Sequence, residues 1–231
     1  MKKYSFILLC IALLSGSAAF AAATAFAAAT AFDQAFDVAN KAYTNRKWQE
    51  AADLLVKAQA LAKNDWQKYK VNTRLTNCYS YTKQNEKTIE AAAETLKYPK
   101  LTPRERNRVN NLIIEAMTRL KRYDEALKIV DTILSEPARE DEAYYNTFLF
   151  QGIALQEQKK YAAALAAFKK AETSKNTDKI YRSKVLWYIG YTALKAGDKA
   201  MAKTYFEKVA KDGYGWFAAS AQKNLQKLQG K

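Results

Sequence analysis

The stretch Tyr123-Asp124-Glu125-Ala126-Leu127-Lys128-Ile129-Val130 is answered by Tyr161-Ala162-Ala163-Ala164-Leu165-Ala166-Ala167-Phe168, with aromatic and alanine recurring 38 residues apart. Another 38 residues beyond Ala164 and Phe168 stand Ala202 and Phe206, in Gly197-Asp198-Lys199-Ala200-Met201-Ala202-Lys203-Thr204-Tyr205-Phe206. Upstream, Trp48-Gln49-Glu50-Ala51 carries the same phrase, with Leu55 and Ala58 at the later positions. A worn copy runs from Ile89-Glu90-Ala91-Ala92 to Leu96 and Pro99. Self-similarity at such a period marks stacked supersecondary units. A plain helical bundle explains helices but not three phrases in one register.

Composition agrees with helices. The 231 residues include only 7 Gly and 3 Pro, which favours long helices over turn-rich sheets. Local signals mark their ends. Thr102-Pro103-Arg104-Glu105 reads as a capping box with proline at the first helical position. Ser135-Glu136-Pro137 breaks the chain, and Gly197-Asp198 supplies a tight turn. After Gly213-Tyr214-Gly215, the segment Trp216 to Leu228 reads as one more amphipathic helix. Its Phe217, Ala221, Leu225 and Leu228 point inward and Gln222, Lys223 and Lys227 outward, as a cap needs.

In these phrases the sequence resembles the tetratricopeptide repeat (TPR) family, in which an aromatic opens the second helix of a hairpin. A small Ala follows, then a large apolar residue, then another Ala. Alanine lets the two helices approach, and the apolar residues fill the gap to the next hairpin. First-helix positions follow in Phe148, Gly152 and Leu155, and again in Leu186, Gly190 and Ala193. The resemblance implies an all-α, right-handed α-solenoid of about five hairpins, at 32–65, 73–106, 107–140, 145–178 and 183–216. A capping helix follows at 217–229. Four-residue inserts separate the last three hairpins, and a longer insert around 64–72 follows the first.

The amino terminus reads as an export signal. Lys2 and Lys3 precede an apolar run from Phe6 to Leu14, then Ser15-Gly16-Ser17 and small residues. Ala19-Phe20-Ala21 and Ala25-Phe26-Ala27 both fit a peptidase, so a signal peptide within 1–27 is expected, cut after Ala21 or Ala27. The repeat domain then occupies 28–231. The rival is an uncleaved membrane anchor, since no charge occurs from Tyr4 to Phe32. The periplasm of a bacterium is the expected destination. The alternatives are anchorage in the inner membrane facing the periplasm, or secretion.

The chain contains no histidine, which removes the commonest general base and metal ligand. Cys10 lies in the leader, so Cys78 is left alone, without a partner for zinc or a base to activate it. No Gly-rich phosphate loop or nucleophile elbow occurs. The acidic trio Glu140-Asp141-Glu142 reads as a helix start. No catalytic residue, metal or cofactor is expected, and the chain reads as a binder.

The resemblance also implies where a ligand would sit, because the first helices of TPR hairpins line a concave groove. The matching positions are Arg74, Asn77 and Tyr81 in the second hairpin. The third offers Arg108, Asn111, Glu115 and Arg119, and the fifth Lys184, Trp187 and Tyr191. Arginine suits carboxylates and asparagine suits a peptide backbone, so a protein or peptide partner is expected. Formal charge is +15, and without Lys2 and Lys3 there remain 36 basic against 23 acidic residues. That field attracts acidic partners or an anionic envelope polymer or membrane surface. Nucleic acid is disfavoured, because no base-reading motif accompanies the charge.

Overall fold

The computed structural model describes residues 31–137, 142–173 and 178–230. The leader expected at 1–27, with both cut sites, lies outside them, as do Glu140 and Asp141. Among the described residues there are eleven helices and no strand. They are α1 (31–44), α2 (Trp48–Leu61), α3 (Asp65–Tyr81), α4 (Asn85–Leu96), α5 (Pro103–Arg119) and α6 (Tyr123–Leu134). There follow α7 (Glu142–Glu157), α8 (Tyr161–Glu172), α9 (Lys179–Lys195), α10 (Lys199–Asp212) and α11 (Gly215–Leu228). The chain divides into two compact units, Met1–Gln84 and Asn85–Lys231. The division falls inside the segment expected as the second hairpin.

The 38-residue period is written into the backbone. Helices α1, α3, α5, α7 and α9 are each followed, two residues past their last, by a residue with positive φ: Arg46, Lys83, Lys121, Lys159 and Gly197. Their spacings are 37, 38, 38 and 38 residues. Each makes the same pair of hydrogen bonds. Arg46 N donates to Tyr43 O (3.0 Å) and Lys47 N to Ala42 O (3.0 Å), and Lys121 N donates to Thr118 O (3.1 Å) and Arg122 N to Met117 O (2.8 Å). This is the Schellman arrangement, which satisfies helix-end carbonyls and reverses the chain. Four of these five positions carry Arg or Lys where glycine would be unstrained, and each side chain is exposed.

The starts of α3, α5, α9 and α10 are capped by side chains. Thr102 accepts from Glu105 N (3.2 Å) while Glu105 reaches back to Thr102 N (2.9 Å), completing the capping box read from sequence. Asp198 accepts from Met201 N (2.8 Å). The segment 64–72 is not a separate insert but the first two turns of α3. Asn64 accepts from Gln67 N (2.9 Å), and the Gln67 amide accepts from Lys63 N (2.7 Å), so the helix begins at Asp65.

In unit 1, Phe32, Phe36, Leu55, Val71, Leu75 and Cys78 are buried. In unit 2 the core runs from Ala92 and Ile114 through Val130, Leu149 and Phe168 to Ile189. Two close approaches repeat: a Cβ on Gly152 would lie 2.4 Å from the Phe168 ring, and one on Gly190 3.0 Å from the Phe206 ring. Small first-helix and large second-helix residues therefore interlock at the same step. Helix α11 packs on α10, with Ala221 fully buried and Phe217, Leu225 and Leu228 against Trp187, Phe206 and Val209. This is the cap expected from the pattern of its apolar residues.

Candidate functional site

Unit 1 sets the expected Arg74, Asn77 and Tyr81 along one side of α3, beside α1. Arg74 Nε donates to Asn40 Oδ1 (2.8 Å), and the guanidinium lies over the rings of Phe36 (4.6 Å) and Tyr43 (5.6 Å). A further bond from Arg74 reaches Lys70 O (3.4 Å), leaving other N–H donors of the fork for a ligand. Asn77 Nδ2 donates to Tyr43 Oη (3.1 Å). Burial lowers the Arg74 pKa from its ordinary value, with Tyr43 opposing, and burial raises that of Tyr43. Tyr81 stacks on Trp48 (4.3 Å between centroids, 12°) and remains 63% exposed. These side chains are thus preorganised by contacts between helices, and only Tyr81 is chiefly open to solvent.

Unit 2 sets the remaining positions on α5 and α9, with α7 between them. Arg108, Asn111, Glu115 and Arg119 follow i, i+3, i+7, i+11, which is one helix face. Arg108 is exposed, and Arg119 pairs with Glu115 (2.8 Å). Asn111, by contrast, is buried and spent within the fold. Its Nδ2 donates to Ala143 O (2.6 Å) and its Oδ1 accepts from Thr147 Oγ1 (3.0 Å), joining α5 to α7.

On α9 the Lys184 amine rests 5.1 Å from the centre of the Phe150 ring. Burial lowers its pKa, the Glu115 charge opposes that shift and the Arg119 charge adds to it. Tyr188, one turn on, has its hydroxyl pushed up to about 12 by burial and then by Glu157 and Glu115. Helices α5 and α9 make no backbone contact, since α7 separates them. Side chains of α5 nevertheless act on those of α9. The side chains of α5 and α9 thus share one face beside α7, where Glu115 and Arg119 lie within electrostatic reach of Lys184 and Tyr188.

Farther along α9 the face turns aromatic. Trp187 is buried, stacks on Tyr191 (4.9 Å, 11°) and donates from Nε1 to Ser220 Oγ (3.1 Å). It also meets Trp216 (5.2 Å) and Phe217 (6.3 Å), so it joins α9 to α11. Tyr191 is half-buried, with the Lys195 amine 5.3 Å from its ring centre. Sequence reasoning missed Tyr188, Phe150 and Glu157 as members of this face. The signal was present for Tyr188: Lys184, Tyr188, Tyr191 and Lys195 run i, i+4, i+7, i+11.

Cys78 is buried, and burial pushes its thiol up to about 11, the opposite of an activated nucleophile. Among the described residues there is no cluster of acids and cysteine able to hold a metal ion, and no helix long and apolar enough to cross a membrane.

No protein-family model matches the sequence, and no curated protein sequence does. Solved structures do match. The apo form of RapI superposes with a TM-score of 0.70 at 18% identity, over 86% of this chain and 59% of that one. This chain thus spans less than two thirds of RapI. PilW, a widely conserved type IV pilus biogenesis factor, gives 0.65 at 19% identity, over 87% of this chain and 86% of its own. MamA from Desulfovibrio magneticus RS-1 gives 0.61 at 14%, over 78% and 93%. These neighbours are TPR-like helical repeat proteins, and at such identities the likeness is one of fold. The helical hairpins read from the sequence share the fold of these helical repeat proteins.

Proposed function

We propose that the chain is an exported scaffold that docks an extended, acidic segment of another protein on the face of α5, α7 and α9, and catalyses nothing. The observation that carries this is the convergence of Glu115, Arg119, Lys184 and Tyr188 across α7. Lys184 gives up hydration at this face, so a carboxylate placed beside it gains more than it would at an open surface. Tyr188 and Tyr191 offer flat surface at little entropic cost to an adjacent apolar side chain. Arg108 supplies further positive charge on α5, where Arg119 is paired with Glu115. The Arg74 face of unit 1, aromatic and cationic, offers a second contact of the same kind.

The bacterial envelope is the setting we infer. It rests on the leader read from Lys2 to Ala27 and on the likeness to PilW, a type IV pilus biogenesis factor. Net positive charge would speed encounter with an acidic partner at low salt.

The test is capture from envelope extract by the chain beginning at residue 28, at low and raised salt, read by mass spectrometry. One or two proteins should survive raised salt. Their retention should fall about tenfold or more in the Arg119→Ala, Lys184→Ala double variant, the loss expected for one or two charge-assisted contacts. Lys128→Ala, an exposed change on a second helix, should leave it unaltered. If every bound protein washes off with salt, or the double variant retains them all, the peptide-docking reading fails.

A further inference from the structure

Helix α9 has a second functional side. Lys179, Arg182 and Leu186 follow i, i+3, i+7 on a stripe about 200° around the helix from Lys184, taking about 100° per residue. They form one wall of a cleft of about 440 Å³, whose other wall is Lys208, Val209 and Asp212 at the end of α10. That volume is within the range of small-ligand sites.

Three cations meet there with a single carboxylate, Asp212, in the lining. The neighbouring acids are engaged elsewhere. Asp178 caps α9 by accepting from Tyr181 N (2.6 Å), Glu172 accepts from Tyr205 Oη (3.1 Å), and Glu207 faces Lys203 (3.9 Å). The Lys208 amine lies 4.7 Å from the centre of the Tyr205 ring. The accessible apolar floor is half-buried Leu186, backed by fully buried Val209.

The back of the cleft is fixed. Ser183 donates to Lys179 O (2.6 Å) and accepts from Tyr214 N (2.9 Å), tying the chain after α10 against α9. Gly213 completes that wall: a Cβ there would fall 2.2 Å from Val209 O, so no larger residue fits. A net excess of two positive charges above an apolar floor suits a doubly charged anion with an apolar body.

The geometry points to a binding site for a phosphate monoester or similar dianion that carries an alkyl or aromatic group, held by Lys179, Arg182 and Lys208. Its head would meet the cations and its body would cover Leu186. Arginine can grip two phosphate oxygens at once, while the lysines contribute point charges. The site stands apart from the α5–α7–α9 face, so it does not depend on the peptide-docking reading.

Titration calorimetry on the full chain with n-octyl phosphate, inorganic phosphate and octyl glucoside tests it. Octyl phosphate should bind saturably and at least tenfold more tightly than inorganic phosphate, and the neutral glucoside should not compete. Arg182→Gln should weaken octyl phosphate about tenfold or more, with helical circular dichroism unchanged. Leu186→Gln should remove the advantage over inorganic phosphate. Flotation with phosphatidic acid vesicles then separates sources: vesicle binding lost in Arg182→Gln identifies a lipid headgroup, and its absence a soluble ester. No saturable binding at millimolar octyl phosphate overturns the site, as does equal affinity for inorganic phosphate or indifference to Arg182→Gln.

Discussion

Gly152 faces Phe168, and Gly190 faces Phe206, with hypothetical Cβ contacts of 2.4 and 3.0 Å. Both phenylalanines are fully buried, so neither ring can swing aside freely. Replacing a helix-interior glycine with alanine gains about 1 kcal/mol of helix propensity, whereas overpacking a core costs about 1–3 kcal/mol. At Gly152 the overlap is deep enough for overpacking to win. At Gly190 the two effects nearly cancel. Urea unfolding should therefore show Gly152→Ala destabilised by about 1–2 kcal/mol and Gly190→Ala within about 0.5 kcal/mol of the parent. The reverse order would contradict the interlock described above. Asn111 teaches a different point at this scale: a residue at a groove position can be consumed by the next hairpin, here through Ala143 and Thr147.

Among the helices, α5 has the most complete start, with reciprocal Thr102 and Glu105 bonds and Pro103 at its first turn. Thr102→Ala leaves a helix-end donor without its side-chain acceptor and should cost about 1 kcal/mol, seen as a lower midpoint in thermal or urea unfolding. A variant as stable as the parent would show that water replaces the cap at no cost. That box was legible in the sequence, as were the repeat step, the break at Ser135–Pro137 and the α11 cap. These are local or strictly periodic signals. The start of α3 was legible too, in Asn64-Asp65-Trp66-Gln67, but departure from the period made it read as an insert. Contacts between successive first helices were harder to see. Asn40 meets Arg74 and Tyr43 meets Asn77, each 34 residues apart, so position alone cannot say whether a polar residue serves a ligand or its neighbour. The stacking that brings Lys184 within electrostatic reach of Glu115 involves three helices, and no single-helix pattern encodes it.

For the whole molecule, the absence of histidine leaves no side chain of that type to titrate near neutrality. The largest shifts lie at alkaline pH, one in each unit: burial pushes Cys78 from 9.0 to about 11 and Tyr188 from 10.0 to about 12. Both groups are raised in the folded state, so their contribution is complete below the unfolded values and is lost as pH rises through the folded ones. Unfolding free energy should hold steady from pH 7 to about 8.5 and then fall between about 9 and 12. Cys78→Ala should flatten the fall between about 9 and 11, and an unchanged profile would show that Cys78 does not report folding. The turn residues Lys121, Lys159 and Gly197 have a consequence of another kind. Cutting the chain after each of them yields blocks of equal length that end in the same local geometry. A tandem copy of residues 160–197 placed after Gly197 would set its own phenylalanine against Gly190 and its own glycine against Phe206, the same interlock at each new step. Gene duplication can therefore lengthen the stack, and with it the proposed docking face, one step at a time without inventing a new joint.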